Sequence, residues 1–444
     1  MSLRVLRFVS GLALLAAAGC AAGTDDPSWL EEESSADGAF AITSVASFGS
    51  NPGNLKMYKY SPAGVGADAP LVVVLHGCSQ TASAYVGAGW NQLADTWKFH
   101  VVYAEQQTSN QSARCFTWWE AGDTSRGSGE ALSIKQMVDH MKSSASIDPD
   151  RVFVTGLSAG GAMASAMLAT YPDVFAGGAI VAGLPYKCAS SLLETSTCQY
   201  SGKDQTPAQW GNLVRSAYSG YAGPRPRVSI WHGSADTIVK PSNATESVEQ
   251  WTNVLGIDAV ADATSTVGGA TRSEYRDASG ESLVELWSIA GMGHGTPVDP
   301  GFAPAGGCGA AGAFLLDANV CSTYRIGQFF GLDGDGSGGG AGGSGGVGGS
   351  GGAGGSGGAG GSGGAGGSGG AGGSGGGGEP PAPVCEELYD ANYYHVTKGR
   401  AVKCGAFNSY TCALGSNQNL GLYTMISTWV KKTGDGYYEA GRCP

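Results

Sequence analysis

Basic residues are scarce in this sequence, and they form no cluster. The 444 residues include 25 Lys and Arg against 37 Asp and Glu, which gives a formal net charge of −12. A protein that binds nucleic acid needs a basic surface to meet the phosphates, so this composition argues against such a partner. A substrate with little or no charge fits the chain better.

Metal-binding motifs are also missing. The chain has 6 His in no cluster and no Cys-x-x-Cys pair, so no metal is expected. The serine chemistry that the motifs below predict implies no organic cofactor either. Apart from Cys20, its cysteines fall in even numbers on either side of a glycine-rich tract, which is typical of disulfides in an exported chain. We expect a Cys78–Cys115 bridge and a local Cys188–Cys198 bridge. The remaining candidates before the tract are Cys308 and Cys321.

The N-terminal apolar stretch is too short to span a membrane. Arg4 and Arg7 precede it and small residues follow it, so residues 1–19 are predicted to be an export signal. The end of this stretch, residues 17–20, resembles a bacterial lipobox, in which Cys20 would carry lipid; ordinary secretion is the alternative. The expected location is extracellular or on the cell surface, with membrane contact only through Cys20.

Composition divides the rest of the chain. Residues 20–39 are acidic and form a predicted solvated tether, and residues 40–332 form the main folded domain. Residues 333–384 hold much of the glycine (77 in the chain) and are predicted to be a flexible linker, with a reach of roughly 35–40 Å for a Gly-rich coil. Residues 385–444 form a small Cys-rich module that needs disulfides to hold its fold. We expect a monomer.

In the main domain, continuous apolar runs alternate with polar loops and with segments whose apolar residues recur at helical spacing. Residues 130–144 have helical periodicity, and residues 313–330 are predicted to form a closing helix. Continuous apolar runs of this kind are typical of parallel strands buried on both faces. They occur at residues 71–75, 101–104, 152–154, 176–181, 228–231 and 283–289. The pattern predicts an α/β fold with a mostly parallel central sheet.

One stretch has the pattern of a nucleophile elbow. A strand-like run ends in Gly156-Leu157-Ser158-Ala159-Gly160, and small helix-forming residues follow. Glycines on both sides of the serine allow close backbone approach, so the hydroxyl of Ser158 can be presented on a strained turn. The same Gly-x-Ser-x-Gly pattern at residues 342–346 has neither strand nor helix beside it. Ser158 is the candidate nucleophile, and a Gly-rich helix cap is the alternative.

An acid and a base follow in the order that hydrolases use. Asp236 lies in the loop after the apolar run 228–231, and His294 lies between glycines in the loop after 283–289. A histidine there can reach both a serine and an aspartate. The alternatives are an Asx turn at Asp236 and a surface loop at His294.

The first apolar run ends in His76-Gly77-Cys78, where hydrolases place an oxyanion loop. The backbone N–H groups of Cys78 and Ala159 are therefore the candidate oxyanion donors, with His76 orienting the loop. Trp118 and Trp119 could line the substrate cleft or pack in the core.

These segments together carry a family resemblance over residues 40–331. They are residues 75–80, 115–119, 127–136, 156–163, 231–239 and 292–294. In these motifs the chain resembles the polyhydroxybutyrate-depolymerase-like esterases, a group that includes secreted acetylxylan and feruloyl esterases. The resemblance implies an α/β-hydrolase fold, a Ser158–Asp236–His294 triad, and oxyanion donors at Cys78 and Ala159.

The sequence therefore predicts a serine carboxylic-ester hydrolase that acts through an acyl-enzyme on an ester-bearing polymer, either a polyhydroxyalkanoate or an acetylated or feruloylated plant polysaccharide. Two alternatives remain open. One is a peptidase of the same fold, and the other is a non-catalytic surface lipoprotein that binds polymer. Segments of residues 385–444 resemble a module appended to several secreted bacterial hydrolases, and this likeness does not identify a ligand. The place of the module beyond a flexible tether on an exported hydrolase predicts that it binds an insoluble polymer; an aromatic mini-core without a ligand is the alternative.

Overall fold

The computed structural model describes two separate parts of the chain. It covers residues 40–302, 304 and 307–334, and toward the C-terminus residues 386–391, 400–404, 410–414, 416, 418–422, 427–434 and 437–440. The predicted export signal 1–19, Cys20, the tether 20–39 and all but the first residues of the predicted linker 333–384 lie outside the described residues. The chain divides into two compact units, Met1–Gly340 and Ala341–Pro444.

A ten-stranded sheet organises the first unit. Its strands are β1 (Thr43–Val45), β2 (Lys56–Tyr60), β3 (Ala69–Leu75), β4 (His100–Glu105), β5 (Ile147–Leu157), β6 (Gly177–Val181), β7 (Arg227–Gly233), β8 (Ala263–Val267), β9 (Ala270–Arg276) and β10 (Ser282–Ile289). The order across the sheet is β1-β2-β4-β3-β5-β6-β7-β10-β9-β8. Neighbours from β4 through β10 pair in parallel, and the two strands at each edge pair antiparallel. The mostly parallel sheet predicted from the apolar runs is confirmed.

Helices connect these strands and cover the sheet. They are α1 (Ala82–Tyr85), α2 (Trp90–Trp97), α3 (Gly129–Ser144), α4 (Ala159–Thr170), α5 (Leu192–Ser201), α6 (Pro207–Ala217), α7 (Ser242–Leu255) and α8 (Ser322–Phe329), with a short 3-10 helix at Val86–Ala88. Two short parallel strands, β11 (Thr296–Val298) and β12 (Leu315–Asp317), lie outside the main sheet.

The core lies on both faces of the sheet. Along β3, Leu71, Val73 and Leu75 pack on one face with buried residues of α3, α4 and α7. Val72 and Val74 point to the other face and pack with residues of α2 and α8. Because side chains alternate along a strand, burial of both sets requires a layer of helices on each side. This explains why the run is apolar at every position.

The predicted helix 313–330 is wrong over its first part. Residues Leu315–Asp317 form β12, which pairs with β11, and the helix begins only at Ser322. Phe314 and Asn319 have φ angles of +61° and +53°, which a right-handed helix cannot accommodate. The side chain of Cys321 accepts a hydrogen bond from the Tyr324 N–H and begins α8.

The described residues of the second unit include six short strands. One three-stranded sheet has the order β13 (Glu386–Ala391), β17 (Ser427–Gly434), β18 (Tyr437–Ala440), and the other contains β14 (Ala401–Cys404), β15 (Tyr410–Ala413) and β16 (Asn419–Leu422). Ala401, Ala413, Leu420 and Val430 form a small buried cluster, and Cys412 is disulfide-bonded.

Candidate active site

Ser158 lies on a strained turn between β5 and α4. Its φ and ψ are 57° and −118°, a conformation that a residue with a side chain rarely adopts. Its N–H donates to the carbonyl of Val181, which fixes the turn at the end of the sheet. The Ser158 side chain makes no capping hydrogen bond to α4. The hydroxyl is therefore not used to cap the helix, which was the alternative to a nucleophile.

The glycines beside Ser158 are required by close backbone contacts. A Cβ on Gly156 would lie 2.3 Å from the carbonyl oxygen of Gly160, and a Cβ on Gly160 would lie 2.4 Å from the carbonyl oxygen of Leu75. Both separations are too short for any side chain. The first turn of α4 consequently rests directly against the end of β3, where the His76 loop begins.

Asp236 and His294 are in direct contact. The Asp236 Oδ2 atom lies 2.7 Å from His294 Nδ1, and both side chains are buried. The other carboxylate oxygen, Oδ1, accepts the N–H groups of Ile238 and Val239, each at 2.9 Å. The carboxylate is thus held in one orientation with a single oxygen directed at the imidazole. His294 Nδ1 is the donor in this pair, which leaves Nε2 as the basic nitrogen.

His232 is a further partner of the carboxylate. Its Nε2 lies 3.3 Å from Asp236 Oδ2 and 2.8 Å from the Val239 carbonyl oxygen. Burial would raise the pKa of Asp236, but hydrogen bonds from His232 and His294 and their positive charge when protonated hold that pKa well below its ordinary value. Asp236 is therefore ionised at neutral pH. The sequence did not indicate this role for His232, because its contact with Asp236 forms only when the loop after β7 folds back toward the strand.

The three candidate residues follow strands that share one edge of the sheet. Ser158 follows β5, Asp236 follows β7 and His294 follows β10, and these strands run parallel in the order β5-β6-β7-β10. The carboxyl ends of parallel strands meet at the same edge. Two backbone hydrogen bonds, Ser234 N–H to Ile289 O and Ala235 N–H to Met292 O, tie the Asp236 loop to the His294 loop.

The loop after β3 is held by buried side chains. Gln80 Oε1 accepts the Gly77 N–H at 2.9 Å. The Nε2 atom of His76 accepts the N–H of Gln106 at 3.0 Å, and its Nδ1 lies 2.7 Å from the Gly77 carbonyl oxygen. Burial lowers the pKa of His76 to about 4, so the ring is neutral and can bridge these two backbone groups. These contacts fix the backbone that leads into the predicted oxyanion donor Cys78.

A buried glutamate on α3 connects this loop to the aromatic segment that follows. Glu130 accepts from the Thr117 N–H at 3.0 Å and the Thr117 hydroxyl at 2.7 Å, and also from the side chain of Gln106. Burial raises the pKa of Glu130 to about 8. The segment 127–136 was predicted to matter only through the family resemblance. Its contacts with residues so distant in the chain could not be derived from spacing.

Three disulfides are formed in the described part of the first unit: Cys78–Cys115, Cys188–Cys198 and Cys308–Cys321. The two bridges predicted from the sequence are confirmed. Trp118 and Trp119 are both buried, and they pack in one cluster with Ala159 and the first two disulfides. Their burial favours the packing alternative, and substrate contact by these tryptophans remains only a prediction.

We expect the Cys78–Cys115 bridge to support both stability and turnover. A Cys78→Ser/Cys115→Ser double variant should lose roughly 3–4 kcal/mol of unfolding free energy by the loop-entropy model. It should also lose on the order of tenfold in kcat on a soluble ester, because a loosened donor stabilises the oxyanion less well. Denaturant unfolding and steady-state kinetics measure the two effects. The matched control is Cys188→Ser/Cys198→Ser, which should lose stability but keep kcat within about twofold; equal kcat losses would contradict the prediction.

A shallow depression of about 340 Å³ adjoins the loop after β3. Its lining comes from two segments and is mainly small or apolar: Ser79, Gln80, Ala84, Gly87 and residues 310–315. The Phe314 ring in this lining lies 6.2 Å from the His294 ring, centre to centre. An apolar chain bound in the depression would therefore lie close to the candidate base.

A larger cavity, of about 610 Å³, lies elsewhere and contains none of the candidate residues. Its lining is charged and includes Arg227, Arg276 and Glu281.

Among the residues that the structure describes, no group of three or more His, Cys, Asp or Glu side chains is placed to hold a metal ion. Within the same residues, every helix is too short or too polar to cross a bilayer.

The mostly parallel sheet carries a serine on a strained strand-to-helix turn and an aspartate–histidine pair in later loops. These features together define an α/β-hydrolase. A family model described as "Esterase PHB depolymerase" matches residues 55–277, and the chain belongs to this family. The resemblance found in the motifs is confirmed, and the protein is a carboxylic-ester hydrolase.

Similar proteins agree with this assignment. The chain is 59% identical over 300 residues to a poly(3-hydroxyalkanoate) depolymerase C from Paucimonas lemoignei, covering 68% of this chain and 72% of the relative. It is 33% identical over 270 residues to a feruloyl esterase B from Talaromyces stipitatus, covering 59% of this chain and 74% of the relative. A solved acetyl xylan esterase from Aspergillus awamori superposes with a TM-score of 0.56 at 28% identity, covering 66% of this chain and 99% of that structure.

Proposed function

We propose that this protein is an exported serine esterase that cleaves a polymeric ester, and that the polymer is a polyhydroxyalkanoate. The observation that carries the proposal is the buried Asp236–His294 pair, which lies at the same sheet edge as the strained turn of Ser158. An ionised carboxylate that fixes one imidazole tautomer is what a serine nucleophile requires from its base.

In the first half of the reaction, the Ser158 oxygen attacks the ester carbonyl carbon. His294 Nε2 takes the serine proton, and the resulting imidazolium is stabilised by Asp236 through Nδ1–H. The carbonyl oxygen becomes an oxyanion. When the tetrahedral intermediate collapses, His294 returns the proton to the departing alcohol, and an acyl group remains on Ser158.

Two backbone amides are proposed to bind the oxyanion. Ala159 N–H is the first N–H of α4, where a helix has unpaired donors and a partial positive charge. Cys78 N–H comes from the loop that packs against the start of α4 and that His76 and Gln80 hold in place. Donors fixed in this way need no reorganisation as charge develops on the oxygen.

Water completes the cycle by the same route. His294 removes a proton from a water molecule, which attacks the acyl-enzyme; the second tetrahedral intermediate then releases the acid and restores Ser158. No step in this scheme needs a group beyond the side chains and amides already named.

The substrate class rests on similarity and on the surface near the site. The relative named as a poly(3-hydroxyalkanoate) depolymerase is 59% identical to this chain, whereas the feruloyl esterase is 33% identical. The depression beside Gln80 and Phe314 is lined mainly by alanine, glycine and other apolar groups. Sugar recognition relies on many directed hydrogen bonds, whereas an aliphatic polyester chain needs mainly apolar contact.

The remaining parts of the chain suit an enzyme that works outside the cell on a solid. Residues 1–19 are proposed to direct export, with Cys20 as a lipidation site in the anchored form. Residues 385–444 are proposed to bind polymer, and the intervening glycine-rich linker would let the two units act independently.

Substrate comparison together with truncation tests this proposal. The full chain should hydrolyse solid polyhydroxybutyrate faster than acetylated xylan or a feruloylated oligosaccharide. Removal of residues 385–444 should reduce the rate on the solid by on the order of 10², because tethering raises the local enzyme concentration. The same truncation should leave kcat/KM on a soluble ester within about twofold, since a Gly-rich coil, as proposed for the linker, would transmit no defined geometry.

Initial rates on the three polymers and one soluble ester provide the measurement. A higher rate on either polysaccharide ester would contradict the polyester assignment. Equal losses on solid and soluble substrates would mean that the second unit supports the catalytic fold instead.

A further inference from the structure

Exposed apolar side chains are concentrated on one helix. In the part of the chain that the structure describes, large hydrophobic residues are strongly exposed at four positions, and three of these lie on α5. They are Leu192 at 62%, Leu193 at 89% and Tyr200 at 53% exposure. The fourth is Val260, at 74%. Such clustering indicates an interaction surface more than isolated exposed residues do.

The exposed face of α5 is also uncharged. Leu193 and Tyr200 are seven residues apart and lie on the same side of the helix, with Leu192 beside them. The single charged residue of α5 is Glu194, whose Oε2 atom accepts hydrogen bonds from the N–H and the hydroxyl of Ser190, at 2.9 and 3.0 Å. The face therefore offers apolar carbon and hydroxyl groups to a partner, and no cation.

The helix lies at the edge of the sheet that carries the candidate triad. It follows the carboxyl end of β6, the strand between β5 and β7. The Lys240 N–H donates to the Gln199 carbonyl at 2.8 Å, and Asn243 Nδ2 donates to the Cys198 carbonyl at 2.9 Å. These bonds join the end of α5 to the segment that continues from Asp236.

The helix is fixed in place in spite of its exposure. Cys198 is buried and forms a disulfide with Cys188, which anchors the inner side of α5 in the cluster that contains Ala159 and Trp118. The disulfide and the two hydrogen bonds to the Gln199 and Cys198 carbonyls thus hold the apolar surface of α5 in one orientation. Presenting such a surface rigidly lowers the entropy lost when it binds.

We propose that Leu192, Leu193 and Tyr200 form a docking face by which the catalytic unit itself contacts the surface of a solid aliphatic polyester. This inference rests on the proposed function. The uncharged alkyl and ester groups of such a polymer match an apolar face bearing one phenol, and contact there would bring polymer chains to the edge where Ser158 lies. The docking face acts in addition to residues 385–444, because tethering alone does not orient the active site toward the solid.

The test is a Leu192→Ser/Leu193→Ser/Tyr200→Ser variant of the full chain. Because all three side chains are exposed, the fold and the soluble-ester kcat/KM should be unchanged within about twofold. The hydrolysis rate on polyhydroxybutyrate particles should fall at least about tenfold, since each apolar side chain loses burial against the polymer.

Val260→Ser is the matched control. Val260 is equally exposed but precedes β8, which runs parallel to β10, so it lies at the opposite edge of the sheet from Ser158. This substitution should leave the rate on particles within about twofold of the unmodified chain.

The outcomes separate this inference from the proposed function. If the unmodified chain hydrolyses the particles and the triple variant does so equally fast, the proposed role of the docking face is wrong, while the polyester assignment stands. If the unmodified chain does not hydrolyse the particles, the polyester assignment itself fails. A dimer that dissociates in the triple variant, measured by sedimentation, would instead make α5 a contact between two copies and overturn the inference.

Discussion

Replacing Ser158 by alanine should lower kcat on a soluble ester by on the order of 10⁶, because the nucleophile, base and acid act as one unit. The side chain makes no capping hydrogen bond, so its removal should not weaken α4. Its φ of 57° is strained for serine and for alanine alike. We therefore expect nearly unchanged stability. Steady-state kinetics and denaturant unfolding of the same preparation provide the measurement.

A suitable control for this variant is Ser165→Ala. Ser165 is a buried serine on the same helix, and its hydroxyl has no hydrogen-bond partner among the described residues. This variant should keep its activity. Substantial turnover by the Ser158 variant, above any contamination by unmodified enzyme, would show that another group performs the attack.

Asp236→Asn should lower kcat about 10⁴-fold, because asparagine favours the wrong imidazole tautomer of His294. The N–H groups of Ile238 and Val239 both point at Oδ1, so the amide oxygen of asparagine should take that position. Its NH₂ group would then face His294 Nδ1, which must become an acceptor. The single proton of the neutral His294 ring then lies on Nε2, so this nitrogen can no longer accept the proton of Ser158.

Asp277→Asn is the matched control for this prediction. Asp277 also accepts several local hydrogen bonds, from Ser279 and Glu281, but it lies in the loop between β9 and β10. Its replacement should change kcat by less than about twofold. If Asp236→Asn kept most of its activity, a different carboxylate would have to orient His294.

Much of this architecture could be predicted because it depends on local patterns. Continuous apolar runs identified six strands of the sheet, and the polar residues at their ends gave Ser158, Asp236 and His294. The elbow was recognisable since its two glycines are forced by contacts within a few residues and with β3. The helix at 130–144 was found from its spacing.

Other features depend on contacts between distant residues. The β8–β9 hairpin was not predicted because its strands are rich in Thr and Ser, although Gly268 and Gly269 adopt positive φ at its turn. The role of Glu130 in holding Thr117, and that of His232 in holding Asp236, arise only when separate segments pack together. Burial of Trp118 and exposure of Leu193 are likewise set by tertiary structure.

The central claim is that Ser158 is the nucleophile of this esterase, and covalent labelling tests it most directly. A p-nitrophenyl alkylphosphonate should inactivate the enzyme with release of one nitrophenol per active site, because phosphorus is attacked as the ester carbonyl would be and no water-labile acyl group forms. Peptide mass spectrometry should place the phosphonyl group on Ser158, and Asp236→Asn should slow the labelling. Inactivation with the label on another residue, or full activity after Ser158 has been labelled, would contradict the account.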